Sequence, residues 1–296
     1  MTVVRLAGAG PLAEDGDRVL AREELAIARR FVGGVPWIIV VWGLGNFFVW
    51  LSLWPLVLMG VLPLWLACPI AILCTTICYL PSHEAQHSNI AAPGARLRWL
   101  NELVGYVSTV PLVLPFKLAR LTHMEHHSHT NDPALDPDYG AKAPNWIGAI
   151  VASIANRQPR AMGAYQRTAE HIGGEVGRRA ILEALITTKF HYFVLCAVAW
   201  VGYPLEALLI WWLPRQFALT YVQVLLSWAP HHPMIETGRY RDTRAWRFPL
   251  GNLFALGMEY HIVHHLHPAI PITRNRAAYL ALRHVLLQRN CRIEGR

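Results

Sequence analysis

From Phe31 to Leu80 the chain carries not one Asp, Glu, Lys or Arg. A membrane-crossing helix needs about 20 consecutive apolar residues, so this stretch is long enough for two. A second apolar stretch runs from Phe190 to Pro230, broken by Gly202, Pro204 and Glu206, with Pro214 and Arg215 as the other break. The pattern predicts an all-α integral membrane protein with about four spans in two hairpins, near residues 35–55, 59–82, 188–203 and 205–229. Composition agrees, with 54% hydrophobic residues, 12 Trp and a mean hydropathy of +0.27.

Charge placement sets the expected orientation. The turn between Pro55 and Pro63 has no Lys or Arg, whereas the N-terminal arm, residues 1–30, carries Arg18, Arg22, Arg29 and Arg30. The positive-inside rule then puts both termini, Pro81 to Thr188 and Pro230 to Arg296 in the cytoplasm. The net charge of +8 is explained by basic residues facing anionic lipid or an acidic electron carrier, and nucleic acid is not called for. Cys68, Cys74, Cys78, Cys196 and Cys291 form no CxxC pair and read as small packing residues. Glu14, Asp15 and Asp17 precede any apolar run, which does not read as a cleaved signal peptide. No internal repeat is visible.

Eight histidines fall in three groups: His83 and His87 in HEAQH, His123, His126 and His127 in HMEHH, and His261, His264 and His265 in HIVHH. Residues three and four apart share a helix face, so each group aims its imidazoles in one direction. Neutral imidazole binds iron, zinc, copper or nickel, and eight are too many for one tetrahedral zinc, so two metal ions are the simpler account. HEAQH sits where the second span leaves the bilayer. Leu97 to Leu118, apolar but interrupted by Pro111 and Pro115, reads as an interfacial or re-entrant piece that leads into HMEHH. HMEHH is expected to end as a helix near Pro137, and HIVHH at His267 and Pro268. All three groups then reach the cytoplasmic side, where a helical cap would hold the metal site.

His231 or His232, at the end of the last span, offers a further donor. Metal-bound imidazoles usually donate their second nitrogen proton to a carboxylate or carbonyl. Glu84, Glu125, Asp132, Asp136, Asp138 and Glu259 are near enough in sequence to accept it. Lone histidines such as His171, His191 and His284 read as ordinary surface or hydrogen-bonded residues. Grouped histidines at a membrane exit are costly to bury without metal, protonation or hydrogen bonds.

The order and spacing of these groups, with HHSHTNDPALDPD and YHIVHHLHPAIP around them, resemble the membrane-bound fatty acid desaturase superfamily, which includes carotenoid hydroxylases and ketolases. The resemblance covers residues 31–296. It implies four spans under a cytoplasmic cap and two non-haem iron ions held by the eight histidines. It also implies a ninth ligand at His231, and at Ser227 the place of an Asn that positions a water. Serine is shorter, a departure from the family pattern.

That resemblance implies O2-dependent desaturation of a lipid acyl chain, with hydroxylation or ketolation of a carotenoid or lipid as the alternative. No side chain by itself breaks an unactivated C–H bond, so the metal carries the chemistry and no separate acid, base or nucleophile is assigned. The chain has no nucleotide-binding, haem or cysteine-cluster motif, so electrons must come from a ferredoxin or a cytochrome b5-type donor with its reductase. A bacterial inner membrane is the expected setting, with substrate entering a tunnel near Trp99 to Phe116. HEAQH also satisfies HExxH, the pattern of a zinc metalloprotease with Glu84 as base, but that reading leaves six histidines idle. A metal transporter would carry its ligands inside the spans.

Overall fold

The structure is a computed structural model that describes residues 11–158, 163–246 and 251–294. The parts of the expected cytoplasmic segments at 1–10, 159–162, 247–250 and 295–296 lie outside them. The described chain is mostly helical, and its one sheet is a two-residue parallel pairing of β1 (Arg244–Ala245) with β2 (Arg292–Ile293).

Among the described residues, three helices are long and apolar enough to cross a membrane: Trp37–Leu58, Leu64–Gln86 and Gly174–Trp200. The first is α2; α1 (Pro11–Arg29) precedes it within the expected arm. The second is a continuous run of α3 (Leu64–Ile77) and α4 (Tyr79–Gln86), so HEAQH lies at the end of a helix long and apolar enough to cross a membrane. Next come α5 (Arg98–Ser108) and α6 (Phe116–His129), with Pro111 in the turn between them. Pro115 caps α6 rather than breaking it, because its fixed φ suits a helix start. This helix ends at Thr130, not at Pro137, because Asn131 turns left-handed at φ +66°.

Two short helices follow, α7 (Trp146–Asn156) and α8 (Ala164–Ile172). The third long apolar helix, α9 (Gly174–Trp200), starts well before the expected residue 188. The charges at its beginning do not end the helix: Glu175 pairs there with Arg178 and Arg179 one turn on. From Pro204 to His231 the chain stays helical through α10 (Pro204–Glu206), α11 (Leu213–Tyr221) and α12 (Ala229–His231), joined by π-helical stretches at Ala207–Trp212 and Val222–Trp228. Each π stretch ends two residues before a proline, Pro214 or Pro230. A proline inside a helix lacks an N–H and crowds the carbonyl four residues back, and a widened turn relieves that conflict.

After α13 (Gly251–Phe254), α14 (His261–Leu266) carries the third histidine group, and α15 (Asn275–Gln288) closes the fold against α1. Glu24 of α1 is buried beside Arg239, Tyr240 and His267. Burial alone would raise its carboxyl, but hydrogen bonds from these three hold it well below the usual carboxylate range. All five cysteines are free.

Candidate metal centre

The last turn of α4, the second half of α6, α12 and α14 meet at one point. His83, His87, His123 and His264 form one group and His126, His231, His261 and His265 another; within each, the facing ring nitrogens lie within 4.8 Å of one another. In the first, His87 Nε2 is 2.8 Å from His123 Nε2. In the second, His231 Nε2 is 3.2 Å from His126 Nε2 and 3.1 Å from His261 Nε2. His127 stands between the groups. Its Nε2 is 3.2 Å from that of His123 and 3.0 Å from that of His264, and its ring stacks on His265 at 4.1 Å.

Facing imidazoles can share a proton in pairs, but four converging lone pairs cannot all be satisfied that way. Both ring nitrogens of His83, Nδ1 of His261 and Nε2 of His265 are buried with no hydrogen-bond partner among the described residues. Leaving such atoms unpaired costs about 1–3 kcal/mol each, whereas a cation at the centre of each group would use the inward-facing lone pairs together. Burial first, and then repulsion from neighbouring imidazoles, hold His123, His127, His261, His264 and His265 well below the usual imidazole range. They are therefore neutral at pH 7, the form that offers a lone pair to a metal.

His126 is different. Burial pushes it down as well, but Asp136, paired with its Nδ1 at 2.8 Å, pushes it up to about 9. That carboxylate keeps the proton on Nδ1 and raises the basicity of Nε2, which faces His231. Asp136 is itself held by the backbone N–H groups of Asn131 and Asp138, each at 2.8 Å.

The other acidic candidates have different neighbours. Glu84 is fully buried, accepts from the Ile272 N–H at 3.1 Å and from Asn89 at 3.3 Å, and keeps its other oxygen 3.7 Å from His83 Nδ1. Glu125 pairs with His129 at 3.2 Å. Asp132 accepts from the N–H groups of Ala134 and Leu135, a local turn. Asp138 accepts from the Tyr165 hydroxyl at 2.9 Å, and Glu259 bonds Tyr260. The Ser227 hydroxyl is buried with no hydrogen-bond partner among the described residues and borders a cavity. His232 packs on Trp228, and His267 turns to Glu24.

Sequence reasoning missed two supports of the histidines. The Asp242 carbonyl lies 3.3 Å from His231 Nδ1, and Thr130 Oγ1 lies 3.4 Å from His265 Nδ1. Thr130 had a signal, since it sits four residues after His126 on the same face. A backbone carbonyl such as that of Asp242 leaves none. Asn131 fixes that carbonyl with a 2.8 Å bond.

A cavity of about 940 Å³ borders both groups through His83, His123, His126 and His261. Its apolar wall includes Leu112, Leu114, Leu219, Val222, Leu226 and Met258. The cavity corrects the expected tunnel near Trp99 to Phe116: of that stretch only its end, Leu112 and Leu114, lines the space, and Trp99 is 61% exposed. The reason is packing, since α5 turns its inner face to α4 and α2.

The family model for fatty acid desaturase matches residues 49–294. Relatives include the sn-1 oleoyl-lipid 12-desaturase of Anabaena variabilis, 24% identical over 250 residues, which are 74% of this chain and 69% of the relative. The sn-1 acyl-lipid omega-3 desaturase (ferredoxin) of a Nostoc species is 22% identical over 64% of this chain and 55% of its own length. The beta-carotene ketolase of a Paracoccus species is 26% identical over 65% and 69%. With three histidine groups converging beneath apolar helices and a family match over most of its length, this chain belongs to the fatty acid desaturase family and is an oxidoreductase.

Proposed function

We propose that this protein introduces a double bond into the acyl chain of a membrane lipid, using two iron ions held by its nine clustered histidines. The observation that carries the reading is the 940 Å³ cavity, apolar on one wall and bordered by both histidine groups on another. Acyl-lipid desaturases among the relatives support the same chemistry. When bound, the irons supply the oxidising power to remove two hydrogens from an unactivated chain, with O2 reduced to water by electrons from the substrate and from a separate donor.

The protein's own residues do the rest. His83, His87, His123, His127 and His264 take one ion; His126, His231, His261 and His265 take the other. Asp136 keeps the proton on His126 Nδ1, so that Nε2 presents its lone pair. The Ser227 hydroxyl, unpartnered at the cavity wall, is placed to hold a water. Leu112, Leu219 and Val222 hold the hydrocarbon and keep water away. The helical run from Pro204 to His231 serves as the fourth span, which sets both termini and the metal centre on the cytoplasmic side. The Arg-rich cytoplasmic face receives an acidic electron carrier, for which the ferredoxin named in one relative is the model. Glu84 is spent on the Ile272 N–H and does not line the cavity, which argues against use as the base of a zinc protease.

The test is expression in a desaturase-deficient bacterium, with metal analysis of the purified protein and mass spectrometry of total lipids. About two irons per chain and new unsaturated acyl chains are expected. His264→Ala should remain in the membrane, lose bound iron and make no product. Modified carotenoids with unchanged acyl chains, or zinc in place of iron, would overturn the proposal.

A further inference from the structure

The turn between α5 and α6 is held by more than its own backbone. Val113, a β-branched residue, stands at φ +57°. That left-handed conformation crowds its Cβ and persists only where the surroundings enforce it. Here the surroundings are side chains of the run from Pro204 to His231. Trp211 Nε1 donates to the Pro111 carbonyl at 3.0 Å, and Arg215 Nε donates to the Leu112 carbonyl at 3.0 Å. Trp211 is fixed in its turn by an edge-on contact with Trp50 at 5.2 Å, and Trp50 Nε1 donates to the Ile210 carbonyl at 3.2 Å.

The twist at Val113 sorts its neighbours. Leu112 and Leu114 line the cavity, whereas Val113 packs into the cluster of Trp50, Ile210 and Trp211. Leu112 clusters with Cys78 and Ala218, and Tyr79, Leu219 and Val222 pack on them. Tyr79 is about one turn before His83 on its helix, and Leu219 about three turns before His231. The turn therefore closes the cavity on the side away from the histidines. With Pro204–His231 as a span, Trp211 and Arg215 lie at bilayer depth, and so do the carbonyls they hold. Water does not serve a non-helical turn there, so its carbonyls must find donors in the protein. An arginine at that depth is costly, and pairing inward with a backbone carbonyl is one of the few ways to keep it.

We propose that this turn is the end wall of the cavity, which limits how far a hydrocarbon chain extends beyond the metal centre, and that Arg215 is the residue that positions it. Arg215 is not part of the cavity wall; it acts through Leu112. Its charged N–H makes a stronger bond to the carbonyl than a neutral donor would. Without that bond Val113 loses one of the constraints that keep it left-handed. As it relaxes the turn rotates, Leu112 withdraws, and the cavity lengthens. The inference rests on the acyl-chain reading above and adds a chain-length limit to that site.

The experiment is native mass spectrometry of the full-length metal-loaded protein in detergent. The probes are phosphatidylglycerols with saturated chains in even steps from myristoyl to behenoyl. V222W, whose added ring fills the chamber, supplies the blank: retention lost in it is counted as cavity binding. In wild type, cavity binding should fall about tenfold at one step of chain length, as expected when a chain overfills a packed space. In R215Q that fall should move at least one step toward longer chains while bound metal is unchanged. W211F, which keeps a ring and loses the N–H, should move it the same way, and R215K should restore the wild-type limit. A wild type without a limit, an R215Q with the same limit, an equal loss of all chains together with metal, or a V222W that retains as much as wild type would each overturn the proposal. If R215Q does not fold, as bound metal reports, W211F and R215K carry the comparison. Because retention needs no turnover, a lack of unsaturated product would refute the desaturase reading and leave the chain-length limit to be read separately.

Discussion

Asp136 decides the chemistry of one histidine out of nine. It is the acid that meets a grouped imidazole at hydrogen-bond distance, and its oxygens also hold the backbone of Asn131 and Asp138. Asp136→Asn keeps the shape and removes the charge that makes His126 basic. Metal affinity should fall about 10–100-fold, read by chelator competition, as expected for loss of a carboxylate behind a metal-bound imidazole. An affinity within about twofold of wild type would show that the charge does not matter there. Several acids lie equally near the histidines in sequence, and nothing in their spacing separates Asp136 from Asp132 or Asp138. Asp132 turns onto the adjacent backbone and Asp138 onto Tyr165, choices made by packing.

At the scale of elements, the turn between α5 and α6 fixes where the second histidine group points. Gly105 on α5 meets the Phe116 ring that starts α6, and a Cβ at residue 105 would lie 2.2 Å from the nearest ring carbon. The ring cannot step aside, because it is 1% exposed and covered by Tyr106 and the Arg120 guanidinium. Gly105→Ala should therefore cost about 1–3 kcal/mol in stability, measured by thermal unfolding in detergent, and should reduce bound metal because α6 carries three of the clustered histidines, His123, His126 and His127. Unchanged melting and metal content would mean that the two helices separate freely. Pro111 and Pro115 made the break between these two helices legible in the sequence. The π-helical stretches were not legible, since hydropathy reports which face is apolar and not whether the backbone bonds four or five residues back.

For the whole molecule, the cavity brings apolar side chains and clustered histidines to one space. Its wall draws on residues from Tyr79 to His261, which no local pattern brings together. Val222→Trp and Leu219→Trp each put a large ring into it on the side facing away from the histidines. Both should keep their metal and shift the chain length accepted or the position of the double bond, read by fatty acid analysis of the lipids. A product profile unchanged in both variants would remove the cavity as the acyl chamber.

The sequence by itself determined an apolar helical protein and the histidines that gather in it, because both signals are local: charge-free length, and spacing of three and four on one helix face. Only the tertiary structure decided which histidine stands with which. His127 and His264 are 137 positions apart, and their 3.0 Å approach depends on how α6 and α14 pack. Folding likewise turned Glu84 onto a backbone N–H 188 positions away and the cavity toward α6, α7 and α8 rather than α5. Helical periodicity fixes the direction of a side chain relative to its own axis, and the packing of several axes fixes what it meets.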